Sequence, residues 1–130
     1  MDVKQGCIYL YEPPQTSKSG QAATVTQSGS EQAGLRPYVI VSRDAVNANK
    51  PTAVGVPLTT RVHKANSYRI MLPAAELIAE VDCQAFENSV ALCDHVRVLD
   101  LSLIKKKVGR LSQNAVLAVN LGLAFVFDLR

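Results

Sequence analysis

The apolar residues of this chain arrive in short packets. Cys7–Tyr11, Pro37–Ser42, Ala53–Leu58, Tyr68–Leu72, Ser89–Cys93, Val96–Leu99 and Lys107–Leu111 are each of strand length. Turn-forming residues separate them, as in the cluster Asn47 to Pro51, and apolar runs of this size bounded by such residues read as strands. The segments Ser89–Cys93 and Val96–Leu99 are either two strands or one strand bent near Asp94-His95. Ala74 to Ala79 has the Ala and Leu content of a short helix, and Asp100 to Ile104 reads as a helical turn. The pattern changes only after Ser112, a good N-cap. Gln113 to Phe127 reads as one helix, apolar on nearly every face. A helix with so little polar surface must be covered on more than one side. Short antiparallel strands and one terminal helix predict an α+β, mostly β fold, built as a small barrel, and the helix predicts a partner surface.

A length of 130 residues predicts one domain spanning 1–130. With 48% hydrophobic residues that domain is globular, not disordered. A net charge of +3 permits a nucleic-acid partner without demanding one. The cations cluster, however: Lys105, Lys106, Lys107 and Arg110 in one group, Arg61, His63 and Lys64 in another. The plain reading of each cluster is a solvated face. Cys7, Cys83 and Cys93 are odd in number and lack C-x-x-C spacing, which favours small buried hydrophobes over a disulfide framework or a zinc site. The N-terminus has no signal-peptide pattern, and Ala115 to Phe127, interrupted by Asn120, is too short to span a bilayer. A cytoplasmic location and no membrane partner are expected. Residues 13–28, PPQTSKSGQAATVTQS, carry Lys18 as their only charge and show no periodicity, so they predict a flexible inserted loop.

Gly29-Ser30-Glu31-Gln32-Ala33-Gly34-Leu35-Arg36-Pro37 gathers an acid, a guanidinium and small hydrogen-bonding side chains at the mouth of a strand. Polar groups held by a rigid strand suggest a site. The planar fork of Arg36 can clamp a phosphate at two points; the alternative is a salt bridge to Glu31 or an Asp. Thr59, at the end of the run Ala53–Leu58, offers a hydroxyl or caps its own turn, and Thr60 competes for the same role. Glu31 is the sole carboxylate of the loop, a general base or a partner of its own backbone amides. Ser30 and Gln32 either orient the loop or contact a ligand. No H-x-x-x-H pair, acidic triplet or dense Cys/His cluster supports metal catalysis, and no cofactor is expected.

That loop resembles the GSEQxGxRP signature of the PemK/MazF toxin endoribonucleases. Four more blocks follow in the family's order. Residues 41–49, VSRDAVNAN, resemble VSxDxxNxN; residues 56–60, VPLTT, resemble VPLT; residues 89–97, SVALCDHVR, resemble SVALCDQxR; and residues 108–112, VGRLS, resemble IGRLS. The similarity covers most of residues 3–127. It implies a CcdB/PemK-type SH3-like barrel that forms homodimers and acts as the toxin of a type II toxin–antitoxin system. The implied activity is that of an mRNA interferase: sequence-specific, metal-independent cleavage of single-stranded mRNA to 2′,3′-cyclic phosphate and 5′-hydroxyl ends. The implied protein partner is an antitoxin whose disordered segment folds across the groove.

By the same resemblance Arg36 is the essential arginine, Thr59 binds the scissile phosphate, and Glu31 is a candidate base, members of the family differing in theirs. Ser30, Gln32, Thr60, Arg61, Lys64 and His95 are RNA-binding candidates. His95 departs from the family's Gln; a histidine keeps a donor and an acceptor and, unlike Gln, is a residue type able to share acid–base work. His63 reads as a solvated residue. Relatives join the first strand to the signature loop by a few residues, so 13–28 is an insertion. The alternative is a non-enzymatic barrel toxin that binds and poisons a protein such as DNA gyrase; that toxin lacks the pair carried here by Arg36 and Thr59.

Overall fold

The computed structural model describes residues 2–14, 34–61 and 65–129. Ser30, Glu31, Gln32, His63, Lys64 and most of the predicted 13–28 loop lie outside the described residues. Eight strands make one antiparallel sheet: β1 Cys7–Tyr11, β2 Arg36–Ile40, β3 Thr52–Thr59, β4 Arg69–Leu72, β5 Leu77–Ala79, β6 Ser89–Leu92, β7 Arg97–Asp100 and β8 Ile104–Leu111. Their order is β4-β6-β3-β2-β1-β8-β5, with β7 beside β3. One edge of β3 pairs with β2. Its other edge pairs with β7 over Thr52–Gly55 and with β6 at Leu58 and Thr59. This change of partner lets the sheet curl into a half-barrel. The helices among the described residues are α1, Asp44–Asn47, and α2, Gln113–Phe127.

Both faces of the central strands are covered. Ile8, Val39, Val56 and Leu58 join a core closed by Ala115 and Val119 of α2. Tyr9, Tyr11, Tyr38, Ile40 and Leu99 form a second core on the opposite face. Successive side chains of a strand point to opposite faces, so a strand buried on both reads as a continuous apolar run. The sequences CIYLY and YVI have that form.

Several expectations need correction. Ala74 to Ala79 is not a helix. A 3₁₀ turn over Ala74–Glu76 leads into β5, because Leu77, Ile78 and Ala79 pair with Leu111, Arg110 and Gly109 of β8; strand pairing overrides the weak helical propensity. The last strand starts at Ile104, not Lys107, because β1 offers a partner along its length as far as Tyr11. The strand expected to reach Ser42 stops at Ile40. Ser42 instead accepts a hydrogen bond from Val54 N at 2.9 Å and donates to Asn47 Oδ1 at 2.5 Å, while Asn47 Nδ2 donates to the Ser42 carbonyl at 3.0 Å. Asn47 is buried, so this clasp satisfies a polar group that is costly to leave alone. Asp44 accepts from Gln5 N at 2.7 Å. The VSRDAVNAN block is thus structural, and the helix α1 within it escaped the sequence reading.

The terminal helix matches expectation. Ser112 Oγ accepts from Ala115 N at 3.1 Å, the N-cap bond its position predicts. Ala115, Val119 and Gly122 face the sheet, while Leu117, Leu121 and Phe125 stand exposed. No helix among the described residues is long and apolar enough to cross a membrane.

Gly109 lies between Ile8 of β1 and Ala79 of β5. A Cβ there would meet the Ile78 carbonyl oxygen at 2.5 Å and Phe86 Cε2 at 2.5 Å. A backbone atom cannot swing aside, so Gly109→Ala should cost about 2 kcal/mol, the scale of overpacking, and lower Tm by roughly 5 °C or more. A thermal melt followed by circular dichroism checks this; an unchanged midpoint means the Phe86 ring does not lie on this strand.

Candidate functional site

The register of β2 on β3 builds the site. Tyr38 pairs with Pro57, Val39 with Val56 and Ile40 with Gly55. Continuing that register by two residues along each strand sets Arg36, which opens β2, across from Thr59, which closes β3. Residues so opposed share one face and come within reach of each other. Just before β2, Gly34 has φ +83, a left-handed conformation that suits glycine and turns the chain into the strand that carries Arg36.

Arg36 is also the β-partner of Tyr11. The Tyr11 ring is fixed by an edge-on contact with Tyr38, centroids 5.2 Å apart, and by its hydroxyl, which accepts from Asp100 N at 3.0 Å. The Arg97 guanidinium sits 6.0 Å from the centre of that ring, a cation–π distance. Arg97 pairs with Gly55, which has the same parity along β3 as Thr59, so two guanidinium groups project from one face. The sequence reading quoted Arg97 within a motif and gave it no role. Only the register of β7 on β3 exposes it, and that register is not written in local pattern.

Thr59 is half-buried, and its Oγ1 accepts from Arg61 N at 3.1 Å. The turn-capping alternative is therefore realised, and accepting this bond leaves the O–H able to donate. Thr60 and Arg61 are exposed just beyond the strand end. His95 is exposed in the 3₁₀ turn Cys93–His95 that joins β6 to β7. Asp94 lies between an arginine and a histidine there: its Oδ2 accepts from Arg69 Nη2 at 3.2 Å and sits 3.8 Å from His95 Nε2. Arg69 in turn stacks near Tyr68 at 5.9 Å, and its Nε is the buried side-chain atom without a hydrogen-bond partner among the described residues. The strand β3 runs between Arg36 on one side and the His95 turn on the other, two strand spacings or roughly 10 Å in all.

The turn carrying His95 is anchored from below. Cys93 is buried and its Sγ donates to the Val119 carbonyl at 3.7 Å. Burial, and secondarily the charge of Asp94, pushes its thiol up to about 11. Cys7 is buried as expected, whereas Cys83 is only half-buried. The lysine run of β8 is exposed, with Lys105 3.4 Å from Glu12 and Lys107 3.7 Å from Glu80. Among the described residues no three His, Cys, Asp or Glu side chains group as metal donors. A cavity of about 500 Å³ lies at the opposite end of β3, lined by Lys4, Asp44, Lys50 and Asp100, and includes none of the predicted site residues.

Comparison with known proteins gives a consistent picture. The family model described as PemK-like, MazF-like toxin of type II toxin–antitoxin system matches residues 5–127. The chain is 34% identical over 92 residues to an endoribonuclease MazF of Staphylococcus saprophyticus, covering 71% of this chain and 72% of that protein. Its fold is similar to MazF of Deinococcus radiodurans, with a TM-score of 0.67, 22% identity and 99% of each chain covered. It is equally similar to a chain of a MazE–MazF structure from the same organism, with a TM-score of 0.67, 18% identity, and 100% and 99% of the two chains covered. Toxin MazF-mt6 of Mycobacterium tuberculosis gives a TM-score of 0.66 at 17% identity over 95% and 98% of the two chains.

The thiols report on this geometry. With its thiol raised to about 11, Cys93 holds about one part in a thousand as reactive thiolate at pH 8. Native protein treated with iodoacetamide should carry label on Cys83 at least ~10-fold faster than on Cys93, read by peptide mass spectrometry. Comparable rates mean the β6–β7 turn does not pack on α2 as described.

Proposed function

This chain belongs to the PemK-like, MazF-like toxins of type II toxin–antitoxin systems, and on that premise we propose that it is a metal-independent endoribonuclease that cuts single-stranded mRNA at chosen sequences. The single observation that carries this reading is the β2–β3 register, with Tyr38 on Pro57, which carried on by two residues along each strand brings Arg36 opposite Thr59. Single-stranded RNA suits such a site because its bases can be splayed out, whereas an A-form duplex hides their edges.

The proposed reaction is internal transesterification. The 2′-oxygen attacks the adjacent phosphorus, forming a P–O2′ bond as the P–O5′ bond breaks. A base takes the 2′-hydroxyl proton and an acid protonates the departing 5′-oxygen. The products are a 2′,3′-cyclic phosphate and a 5′-hydroxyl. Charge accumulates on the phosphoryl oxygens at the transition state, and groups already aimed there stabilise it without reorganisation. Arg36 supplies that charge in bidentate form, Thr59 donates its hydroxyl, and Arg97 adds a second guanidinium to the same face. Glu31 is proposed as the base. Ser30, Gln32, Thr60, Arg61, Lys64 and His95 are proposed to hold the RNA on either side. The poison reading is disfavoured by Arg36 and Thr59, which a protein that cuts nothing does not need.

As a toxin of this class the chain is proposed to work in the cytoplasm as a single domain, paired with an antitoxin that folds across the groove. It is also proposed to form a homodimer that covers the exposed stripe of α2. The MazE–MazF structures among its structural relatives support an antitoxin partner.

Purified protein should cut a long RNA in EDTA, leaving cyclic-phosphate ends; loss on chelation that Mg²⁺ restores contradicts the mechanism. Arg36→Ala should lose ~100-fold or more in rate, the scale of removing one charge-stabilising group, with its melting curve unchanged, and Thr59→Ala should lose less. Parent-like cleavage by folded Arg36→Ala places the chemistry elsewhere. Sedimentation at micromolar concentration should give about twice the 14.0 kDa chain mass; a single 14.0 kDa species rules the dimer out.

A further inference from the structure

A second cavity, about 380 Å³, adjoins the Arg36–Thr59 pair from behind. Strand alternation explains its position. Arg36 and Thr59 project from one face of the β2–β3 ladder, so Pro37, and the strand-end neighbours Leu35 and Thr60, turn to the other. Leu35, Pro37 and Thr60 all line this cavity, together with Phe86, Gln84 and Lys106. Its mouth and the phosphate-clamping face therefore meet at the same strand ends. A chain held by its phosphate at Arg36 needs only to bend over that rim for the adjoining nucleotide to enter.

The lining has the chemistry of a base site, and its two carboxylates, Asp82 and Glu87, can accept from a base's amino group. Phe86 is not free to collapse inward: Gly109 has no Cβ, and the ring lies against that backbone, 2.5 Å from where a Cβ would stand. It is an aromatic platform held in place before any ligand arrives, and aromatic platforms stack nucleobases. Leu35 and Pro37 supply apolar contact. Gln84 and Thr60 offer both donors and acceptors, as reading a base edge requires. Lys106 contributes the cation: Lys105 and Lys107 pair with glutamates, whereas Lys106 has no ion-pair partner among the described residues.

We infer that this cavity binds the nucleobase adjoining the scissile phosphate, with Phe86 stacking the base, Gln84 and Thr60 reading its edge, and Lys106 holding the neighbouring phosphate. The inference rests on the reading of Arg36 and Thr59 as the cleavage pair. It assigns sequence choice chiefly to Gln84, Phe86 and Lys106, three residues that lie outside the motifs that mark the family in this sequence.

The test uses the full-length protein and a short RNA containing one preferred cut site, with each nucleotide around the cut replaced in turn by an abasic one. For the parent, removing the base at one position next to the cut should lower kcat/KM about tenfold, the scale of one stacked base. In Phe86→Leu the same removal should cost little, because the platform is already gone, while abasic substitutions elsewhere should cost both proteins alike. Gln84→Ala, on an exposed loop side chain, should change which base is preferred at that position, read by sequencing the 5′-hydroxyl ends of a cleaved transcript pool. Equal abasic penalties in the parent and Phe86→Leu, or an unchanged preference in Gln84→Ala, overturn the inference. If Phe86→Leu fails to fold by thermal melt, Gln84→Ala alone decides. A failed cleavage reading is seen separately, as Arg36→Ala cutting at the parent rate; a folded Arg36→Ala protein that still binds an uncleavable 2′-deoxy analogue with the same abasic penalty keeps the pocket while relocating the chemistry.

Discussion

The strand β3 is hydrogen-bonded along both edges and buried on both faces, and the rest of the molecule takes its position from that strand. Its partners change along its length, from β7 to β6 on one edge, with β2 on the other. Val56 and Leu58 enter the core under α2, while Ala53 enters the tyrosine-rich core. Gly55 has no side chain because Leu99 occupies that space, 2.6 Å from where a Cβ would stand. A slip of one residue would exchange the contents of the two cores and turn Thr59 to the wrong side of the sheet. With apolar side chains committed on both faces, no neighbouring register is competitive.

The proposed chemistry uses the frame that this burial creates. The groups proposed to react stand at strand ends, where the backbone is rigid and the surface open. Gly34 delivers Arg36, the cap on Arg61 fixes Thr59, and the Cys93 anchor fixes the turn of His95. None of these supports is itself polar chemistry on a substrate. They restrict the positions of three side chains proposed to meet the RNA, which is what preorganisation of that site requires.

Much of this was legible in the sequence, and the legible parts share a physical reason. β1, β3 and α2 announce themselves because their apolar runs are long relative to their turns, and Ser112 caps where a cap belongs. Arg36 and Thr59, proposed here as the cleavage pair, stand out in the sequence because they sit within compact motifs. What stayed hidden depends on pairing between distant segments. β5 is three residues of weak propensity that become a strand only because β8 is beside them. Arg97 gains its meaning from Gly55 and Tyr11, distant in sequence. The VSRDAVNAN block, quoted in the sequence only for its resemblance, gains its role from the fold: Ser42, Asp44 and Asn47 use their side chains to hold the chain's own backbone.

Gly122 sits where α2 crosses the β6–β7 turn, with Cys93 and Ile70 filling the space a side chain would take. The helix therefore has one seat on the sheet, since shifting it by a residue drives Leu121 or Leu123 into that gap. Its outward stripe is equally fixed. Leu117, Leu121 and Phe125 recur every four residues, at steps of about 6 Å along the axis, and Phe125 is further braced by stacking on Tyr68 at 6.0 Å. The exposed helix is thus a ruler, and a surface that covers it must carry pockets cut to that interval.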